Sequence, residues 1–115
     1  MRLIYVCSPC RGDPPYTEKK LIKNIKNASE YSAFVVNRGH IPITPHLYFN
    51  SFLADEKPDD RETGMNMGME LLKICNELWV FDKISEGMQK EIDEAHMRGI
   101  PVSCILYERM ALNED

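Results

Sequence analysis

The sequence predicts an α/β fold: a small doubly wound, flavodoxin-like or Rossmann-like parallel sheet of four or five strands with helices on both faces. Short apolar segments alternate along the chain with longer segments of helical periodicity. The apolar segments are almost uninterrupted, which is typical of parallel strands that are buried on both sides. The chain has 115 residues without a repeat or a linker, which predicts one domain over residues 1–115.

The first half of the chain supplies two predicted strands and a helix. Residues 3–7 are a short β-favouring run, and the Gly and Pro residues between positions 8 and 15 indicate a loop. Thr17 is expected to cap a helix that runs to about Arg38 and ends at Gly39. Residues 40–44 then form a second, shorter strand, and the aromatic-rich segment 45–53 is expected to be a loop.

The second half continues the same alternation. A helix capped by Asp59 or Asp60 is predicted to run to about residue 76, and a strand follows over 77–82. A further helix is predicted from Ser85 to Gly99, and a last strand over 100–106. The last residues, 108–115, are predicted to be a short helix or a frayed end. Right-handed crossovers between such parallel strands leave few topologies.

Composition narrows the classes of function. Hydrophobic residues are 43% and charged residues 28%, the balance of a soluble globular protein. No apolar run approaches the roughly 20 residues that cross a bilayer, and the N-terminus does not resemble a secretory signal. We therefore expect a cytoplasmic protein without a membrane partner. The net charge of −4 disfavours polymeric nucleic acid as a partner, although a small phosphate ligand remains compatible with it.

The third predicted helix contains the clearest indication of a site. Met88, Ile92 and Ala95 recur at i, i+4 and i+7 and form its apolar face, and Glu91 lies on that same face. A carboxylate in such a place must be paired, hydrogen-bonded or open to a cavity. The alternative is a glutamate at the rim of the sheet that reaches solvent or pairs with a lysine.

The start of that helix is suited to an anion. Ser85 at the N-cap would bond the first free amides, and Gly87 would let a ligand approach the backbone closely. Free amides and the helix dipole attract phosphate. Because ligands of parallel sheets bind beyond the carboxyl ends of the strands, we expect the loops after the strands to complete this site.

Four segments carry a resemblance to a known family. They are LIYVCSPCRG at 3–12, ELWVFD at 77–82 and SEGMQKE at 85–91, together with IPITPHLYF at 41–49. With the first three the chain resembles the nucleoside 2-deoxyribosyltransferase superfamily, including the 2′-deoxynucleoside 5′-phosphate N-hydrolases. The fourth is typical of small uncharacterised phage and bacterial proteins that are related to that group. The resemblance covers most of the chain.

The resemblance implies cleavage or transfer of the N-glycosidic bond of a 2′-deoxynucleoside or its 5′-monophosphate. Glu91 matches the family's catalytic carboxylate, which attacks C1′ as the base departs, and Tyr5 matches a tyrosine near that nucleophile. The residues expected to bind substrate or phosphate lie in the loops after the strands or at the start of the third helix: Ser8, Arg11, Gly12, His46, Tyr48, Asp82, Ser85, Gly87 and Met88.

The resemblance also bears on partners and on a further acid. It favours a homo-oligomer, a dimer or larger, and a small-molecule nucleoside or nucleotide as ligand, while no cofactor and no metal are expected. Relatives use an additional acidic residue on the leaving base or the sugar hydroxyl. Asp59, Asp60 and Glu62 are near it in sequence order, but none of them matches its position.

Two other classes of function stay open on the sequence. The same pocket would serve a module that binds or sequesters a nucleotide or an ADP-ribose-like signal without turnover. Cys7 and Cys10 form a C-x-x-C pair after a strand, as in thiol–disulfide proteins, although Gly12 and the prolines that follow prevent a helix from starting at Cys7. A zinc site would need a second C-x-x-C or a His pair, which the sequence lacks.

Overall fold

The computed structural model describes residues 1–107 and contains a four-stranded parallel sheet. Its strands are β1 (Leu3–Cys7), β2 (Ile41–Ile43), β3 (Glu77–Val80) and β4 (Val102–Cys104), arranged in the order β2-β1-β3-β4. Strand β1 is central: Leu3 is in register with Ile41 on one side, and Ile4 with Glu77 on the other. The predicted fold class is confirmed, with four strands.

The helices are α1 (Glu18–Asn37), α2 (Pro45–Phe49), α3 (Pro58–Leu72) and α4 (Glu86–Met97). Two of them begin at the predicted caps. Thr17 Oγ1 accepts from the Lys20 amide at 3.1 Å, and Ser85 Oγ accepts from the Met88 amide at 3.3 Å. Gly99 follows α4 with a φ of +71°, a left-handed conformation that glycine adopts without strain.

Three boundary predictions are wrong. Segment 45–53 is not a simple loop, because Pro45 occupies the first turn of α2, where its fixed φ suits a helix start. Neither Asp59 nor Asp60 caps α3: the helix begins at Pro58. Asp60 instead accepts a hydrogen bond from the Ala54 amide at 2.9 Å. Helix α3 also ends at Leu72, several residues earlier than predicted.

The last two strands are shorter than predicted. Strand β3 ends at Val80 rather than at residue 82, since Asp82 has a φ of 71° and turns the chain away from the sheet. Strand β4 is confined to Val102–Cys104. The predicted short helix or frayed end at 108–115 lies outside the described residues. Among the helices of residues 1–107, none is long and apolar enough to cross a membrane.

Side chains of β1 alternate between two apolar cores, one on each face of the sheet. The α1 face contains a cluster formed by Ile4, Val6, Tyr31, Val35 and Phe81. The α4 face contains a larger cluster that includes Tyr5, Cys7, Leu72, Leu78, Val80, Met88, Ile92 and Ala95. The alternation therefore directs Tyr5 and Cys7 to the face on which α4 packs.

Candidate functional site

Glu91 is buried on the inner face of α4, where only 6% of its surface is exposed. The Tyr5 hydroxyl donates a hydrogen bond to its Oε2. The Cys7 thiol donates to its Oε1, with sulfur and oxygen 3.7 Å apart. Both donors come from β1, because alternate residues of a strand share a face. The helical periodicity of α4 and the two-residue period of β1 thus bring a carboxylate and its two donors together.

Burial is the largest cause of the pKa shifts of Glu91, Tyr5 and Cys7. Removal from water raises the pKa of Glu91, while the charge of His46 and the hydrogen bonds from Tyr5 and Cys7 lower it in part. Burial also raises the pKa of Tyr5, and the negative charge of Glu91 raises it further. The same two causes raise the pKa of Cys7. Tyr5 and Cys7 therefore stay protonated near neutral pH and act as donors.

A cavity of about 710 Å³ opens beside Glu91, at the loops that follow β1 and β2 and at the start of α4. Its size is in the range of small-molecule sites. Most of the residues predicted for the site line it: Tyr5, Ser8, Arg11, Gly12, His46, Ser85, Gly87, Met88 and Glu91. Their placement follows the rule that ligands of parallel sheets bind beyond the carboxyl ends of the strands.

Arg11 is held against the wall of the cavity by three contacts. Its Nη1 donates to the Asp55 carbonyl at 3.2 Å, and its Nε lies 3.2 Å from Asp55 Oδ2. The guanidinium also lies 4.0 Å from the centre of the Tyr16 ring. The position of Arg11 in the cavity therefore depends on Asp55, an acidic residue that the sequence analysis did not single out.

Two buried oxygens of the cavity lining have no hydrogen-bond donor within residues 1–107: Ser8 Oγ and Asp55 Oδ2. The contact of Asp55 Oδ2 with Arg11 is an ion pair rather than a hydrogen bond. Burial raises the pKa of Asp55, although the charge of Arg11 opposes this. Buried polar atoms are nearly always paired, so these two oxygens are suited to contact a ligand.

His46, the first-turn histidine of α2, joins the loop after β1 to the loop after β2. Its Nε2 donates to the Ser8 carbonyl at 2.7 Å. Burial lowers the pKa of His46, but the hydrogen bond and charge of Cys10, the charge of Glu91 and the Ser8 carbonyl together raise it to about 9. The imidazole is therefore a cation at neutral pH.

The start of α4 forms another part of the wall. The Ser85 side chain is occupied by the Met88 amide, as a helix cap requires. A Cβ built on Gly87 would lie 3.6 Å from Met65 Cε, an ordinary contact. Packing within residues 1–107 therefore does not demand a glycine at position 87, and its bare backbone faces the cavity.

Two predicted site residues do not line the cavity. Tyr48 is 65% exposed on α2 and packs against Phe49 and Phe52. Asp82 accepts hydrogen bonds from the Tyr31 hydroxyl at 3.2 Å and from the Lys83 amide at 2.7 Å. Those bonds hold the turn after β3 to α1, on the other face of the sheet.

Asp55, Asn50 and Gly68 are among the lining residues that were not predicted for the site. Asp55 and Asn50 lie outside any regular periodic pattern. Gly68 lies in the middle of α3, and a Cβ there would come within 3.1 Å of the Tyr5 hydroxyl oxygen. A glycine inside an otherwise helical pattern is the one signal that points to such a close approach. No group of three or more His, Cys, Asp or Glu side chains in residues 1–107 is placed to hold a metal ion.

A solved structure of a 2-deoxyribosyltransferase from Bacillus psychrosaccharolyticus, a psychrotolerant bacterium, has a similar fold, with a TM-score of 0.65. The superposition covers 96% of this chain and 80% of that chain, at 16% sequence identity. That protein is described as a suitable biocatalyst for the industrial synthesis of antiviral and antitumoral nucleosides. At this identity the similarity establishes the fold, which is the one that the sequence resemblance implied.

No curated protein matches the chain. Residues 2–105 match a family model described as "Domain of unknown function (DUF7768)". Since this match spans nearly the whole chain, the protein belongs to the DUF7768 family.

Proposed function

We propose that this protein cleaves or transfers the N-glycosidic bond of a 2′-deoxynucleoside or its 5′-monophosphate, with Glu91 as the nucleophile. The observation that carries the proposal is the buried Glu91 carboxylate on the wall of the cavity, with Tyr5 and Cys7 as its donors. Burial of a carboxylate opposes folding, so a buried and hydrogen-bonded carboxylate that borders a cavity is a candidate for a functional group.

In the proposed reaction, Glu91 attacks C1′ of the deoxyribosyl group and the base departs. Water or a second base then takes the sugar from Glu91, as in a retaining glycosidase. Tyr5 keeps the attacking carboxylate in place through its hydrogen bond to Oε2. The cation of His46 favours the ionised form of Glu91, which is the form that attacks.

Asp55 is the acid that we propose for the leaving base. It lines the same cavity as Glu91, and burial raises its pKa against the opposing charge of Arg11, which is the direction that a proton donor requires. Asp60 and Glu62 also line the cavity, and Asp59 does not; we prefer Asp55 because Glu62 is exposed and Asp60 accepts a hydrogen bond from the Ala54 amide.

The remaining wall is suited to the sugar and to a 5′-phosphate. The Ser8 hydroxyl is a donor and an acceptor without a partner in residues 1–107, so it can bond a sugar hydroxyl. Arg11 and the first amides of α4, at Glu86 and Gly87 after the Ser85 cap, would hold a phosphate. Gly12, His46 and Met88 shape the cavity around the ligand. Tyr48 and Asp82 have no part in this scheme.

The solved 2-deoxyribosyltransferase with a similar fold supports nucleoside chemistry as the general class. Kinship with the 5′-phosphate N-hydrolases and with the small phage and bacterial proteins is part of the proposal and rests on the sequence resemblance. A homo-oligomeric state and a cytoplasmic location stay predictions.

A second function is favoured by one observation. Burial raises the pKa of Glu91, and a protonated carboxyl group is not a nucleophile. A module that binds a nucleotide or an ADP-ribose-like signal without turnover would use the same cavity and would keep Glu91 as a hydrogen-bonding group. The two functions differ in whether a product forms.

Mass spectrometry of reaction products tests the proposal. The protein is incubated with deoxynucleosides, ribonucleosides and their 5′-monophosphates, each with and without a second free base. We expect free or exchanged base from one of the deoxy compounds, and at least a 1000-fold slower reaction for Glu91→Gln, as is usual when a nucleophile is removed.

Glu94→Gln on the same helix is the matched control, because Glu94 pairs with Arg98 rather than with the residues of the cavity. It should keep the activity of the unaltered protein. A ligand that raises the melting temperature of both the unaltered protein and Glu91→Gln, with no product from either, would establish the binding module instead. Turnover that survives in Glu91→Gln would contradict the role of Glu91.

A further inference from the structure

The charge of the chain is unevenly distributed, and the first half of α1 carries a concentration of lysines. Residues 14–29 contain four lysines and one acidic residue, Glu18, whereas the whole chain has a net charge of −4. The prediction that disfavours polymeric nucleic acid rests on that total charge. A total does not describe the potential at one surface, which depends on how the charges are arranged.

Three of these lysines form a row on one side of α1. Lys19, Lys23 and Lys26 are separated by four and by three residues, so their side chains are neighbours on the helix surface. All three are exposed, on the side opposite the buried residues Ala28 and Val35. They extend over about 10 Å of the helix axis. We call this row the lysine stripe.

No carboxylate pairs with the lysine stripe within residues 1–107. The ion pairs of that part of the chain involve Arg2, Arg11, Lys73 and Arg98 instead. Like charges three and four residues apart destabilise a helix, and cations near its N-terminus oppose the helix dipole. Neither ion pairing nor helix stability therefore accounts for the stripe, and the positive end of the dipole adds to its potential.

The lysine stripe begins beside the cavity. Lys20, the next residue of α1, donates to the Asp13 carbonyl at 3.3 Å and to the Pro15 carbonyl at 2.9 Å, which holds the loop after β1 against the start of the helix. Tyr16 joins this loop to α1. Its ring is 50% exposed, lines the cavity and lies 4.0 Å from the Arg11 guanidinium. An exposed aromatic ring thus stands in the chain between the cavity loop and the stripe.

We propose that the lysine stripe and Tyr16 bind single-stranded DNA, with the phosphates on the lysines and one base stacked on the Tyr16 ring. A basic surface that follows the backbone, together with aromatic rings under the bases, is the usual arrangement in proteins that bind single strands. A nucleoside can enter a cavity only when it is unpaired, which favours a single strand over a duplex.

The binding surface and the reaction rest on different observations. The surface is inferred from charge and exposure alone. That the bound strand supplies the deoxynucleoside of the cavity rests on the proposed function. If both hold, the substrate is a nucleoside at or near the end of a DNA strand, and the strand beyond it lies along α1.

An anionic membrane is the other polyanion that a row of lysines attracts. Helices that lie in a membrane surface carry a wide apolar face beside their basic residues. Among residues 18–27, Ile22 is the only large apolar side chain that is exposed. One side chain does not provide such a face, and a membrane would not use the aromatic ring beside the cavity. The observations therefore favour nucleic acid.

Fluorescence anisotropy with the full chain and a labelled single-stranded DNA of about 12 nucleotides tests the proposal. Three phosphate contacts predict that the logarithm of the binding constant falls with the logarithm of the salt concentration with a slope of about −2. Lys19→Gln combined with Lys23→Gln should reduce the slope to about −0.7 and weaken binding at least about tenfold at about 50 mM salt.

Lys73→Gln combined with Arg98→Gln is the matched control. It changes the net charge by the same amount, but its cations lie at the ends of α3 and α4 and do not line the cavity. This pair should bind the DNA like the unaltered protein. Equal losses for the two pairs, no binding of DNA at about 50 mM salt, or binding to phosphatidylserine vesicles without binding to DNA would overturn the proposal.

Two variants test the stacked base. Tyr16→Ala should weaken binding about fivefold or more, because base–aromatic stacking is lost, whereas Tyr16→Phe should retain the affinity. Circular dichroism shows whether each variant is folded. A folded Tyr16→Ala that binds as tightly as Tyr16→Phe would refute the role of the ring.

Glu91→Gln separates this proposal from the reaction. It should bind the DNA as tightly as the unaltered protein, because Glu91 lies on α4 rather than on α1. Binding that depends on Lys19 and Lys23, without release of base from any deoxynucleoside, would support the surface and contradict the N-glycosidic reaction. Release of base without binding of DNA would support the reaction and contradict the surface.

Discussion

The two faces of the sheet share one central strand but differ in what they bury. On the α1 face, Tyr31 stacks on Phe81 with ring centres 4.6 Å apart, and Phe34 meets Phe81 edge to face. On the α4 face, the neighbouring residues of β1 contact a carboxylate: Tyr5 and Glu91 form a buried hydrogen bond. One face is an apolar core, and the other is a core interrupted by a polar group beside a cavity.

Alternate residues of β1 therefore have different roles: those on one face stabilise the fold, and those on the other contact Glu91. Ile4 and Val6 belong to the α1-face cluster, where burial of their apolar surface stabilises the folded state. Tyr5 and Cys7 occupy an equally buried position, but their polar atoms are committed to Glu91. Substitutions on the first face should therefore change stability, and substitutions on the second should change proton affinities and activity.

Phe81→Ala should have the largest effect, because it removes a fully buried ring from the centre of the aromatic cluster. Loss of a buried phenylalanine typically costs about 3–5 kcal/mol. Urea unfolding measures the change. Phe52→Ala removes a ring that is 56% exposed and should cost less than about 1 kcal/mol. Equal losses for the two variants would contradict the assignment of Phe81 to the core.

Glu91→Gln should stabilise the fold on the other face, by about 1 kcal/mol at pH 8, because it removes a buried charge. Since the pKa of Glu91 is raised in the folded state, the protonated group contributes stability below its ordinary value of 4.5. That contribution is lost as the pH rises through the folded-state pKa. The gain from Glu91→Gln should therefore grow with pH above 4.5 and vanish below it.

Unfolding curves of both proteins between pH 4 and pH 8 measure this dependence. Glu94→Gln is the control: Glu94 pairs with Arg98 at 2.5 Å on the outer part of α4, so that its loss should bring no gain. If the stability gained by Glu91→Gln does not change with pH, the charge of the Glu91 carboxylate is not what destabilises the unaltered protein.

Local signals explain what could be predicted of the fold. The caps Thr17 and Ser85 act within one helical turn, and the strands differ from helices by their own periodicity. The predicted start of α3 was wrong because the helix begins at a proline, which suits the first helical position, rather than after one of the aspartates that follow it. Helix α2 was missed since five residues are too few to produce a periodic pattern.

Periodicity determines the direction of a side chain on a helix, whereas the loop residues of the cavity were predicted from the family resemblance and the position of their loops. Glu91 could be placed on the inner face of α4, because three apolar residues define that face. Position in a loop does not determine direction: Asp82 has a left-handed backbone and bonds Tyr31, away from the cavity. Asp55 reaches the cavity through the irregular chain between α2 and α3, which no local pattern describes.

Gly68→Ala tests the α4 face by steric contact alone, because the substitution neither adds nor removes a polar group. The new Cβ would lie 3.1 Å from the Tyr5 hydroxyl oxygen, which must move by a few tenths of an ångström. Since the hydrogen bond from Tyr5 lowers the pKa of Glu91, we expect that pKa to rise. Carbon-13 NMR of the Glu91 carboxyl group measures the change without reference to turnover.

Gly64→Ala, one turn earlier in α3, is the matched control. A Cβ there would meet Leu53 Cδ1 at 3.6 Å, an ordinary contact, so this variant should gain about 1 kcal/mol of helix propensity. Gly68→Ala should gain less, and the difference should disappear when Tyr5 is changed to phenylalanine. A Glu91 titration that is the same in Gly68→Ala and Gly64→Ala would contradict the close approach as a control on Tyr5.

His46→Gln should have the smallest effect on activity. Together with His40→Gln, it compares a histidine on each face of the sheet. The charge of His46 lowers the pKa of Glu91, so its removal should raise that pKa. Because attack requires the ionised carboxylate, the acid limb of the pH–rate profile should move to higher pH by the same amount. His40→Gln is the control, since His40 lies at the other face against the Trp79 ring. If both variants move the acid limb equally, the effect is one of general stability, and the electrostatic coupling between His46 and Glu91 is absent.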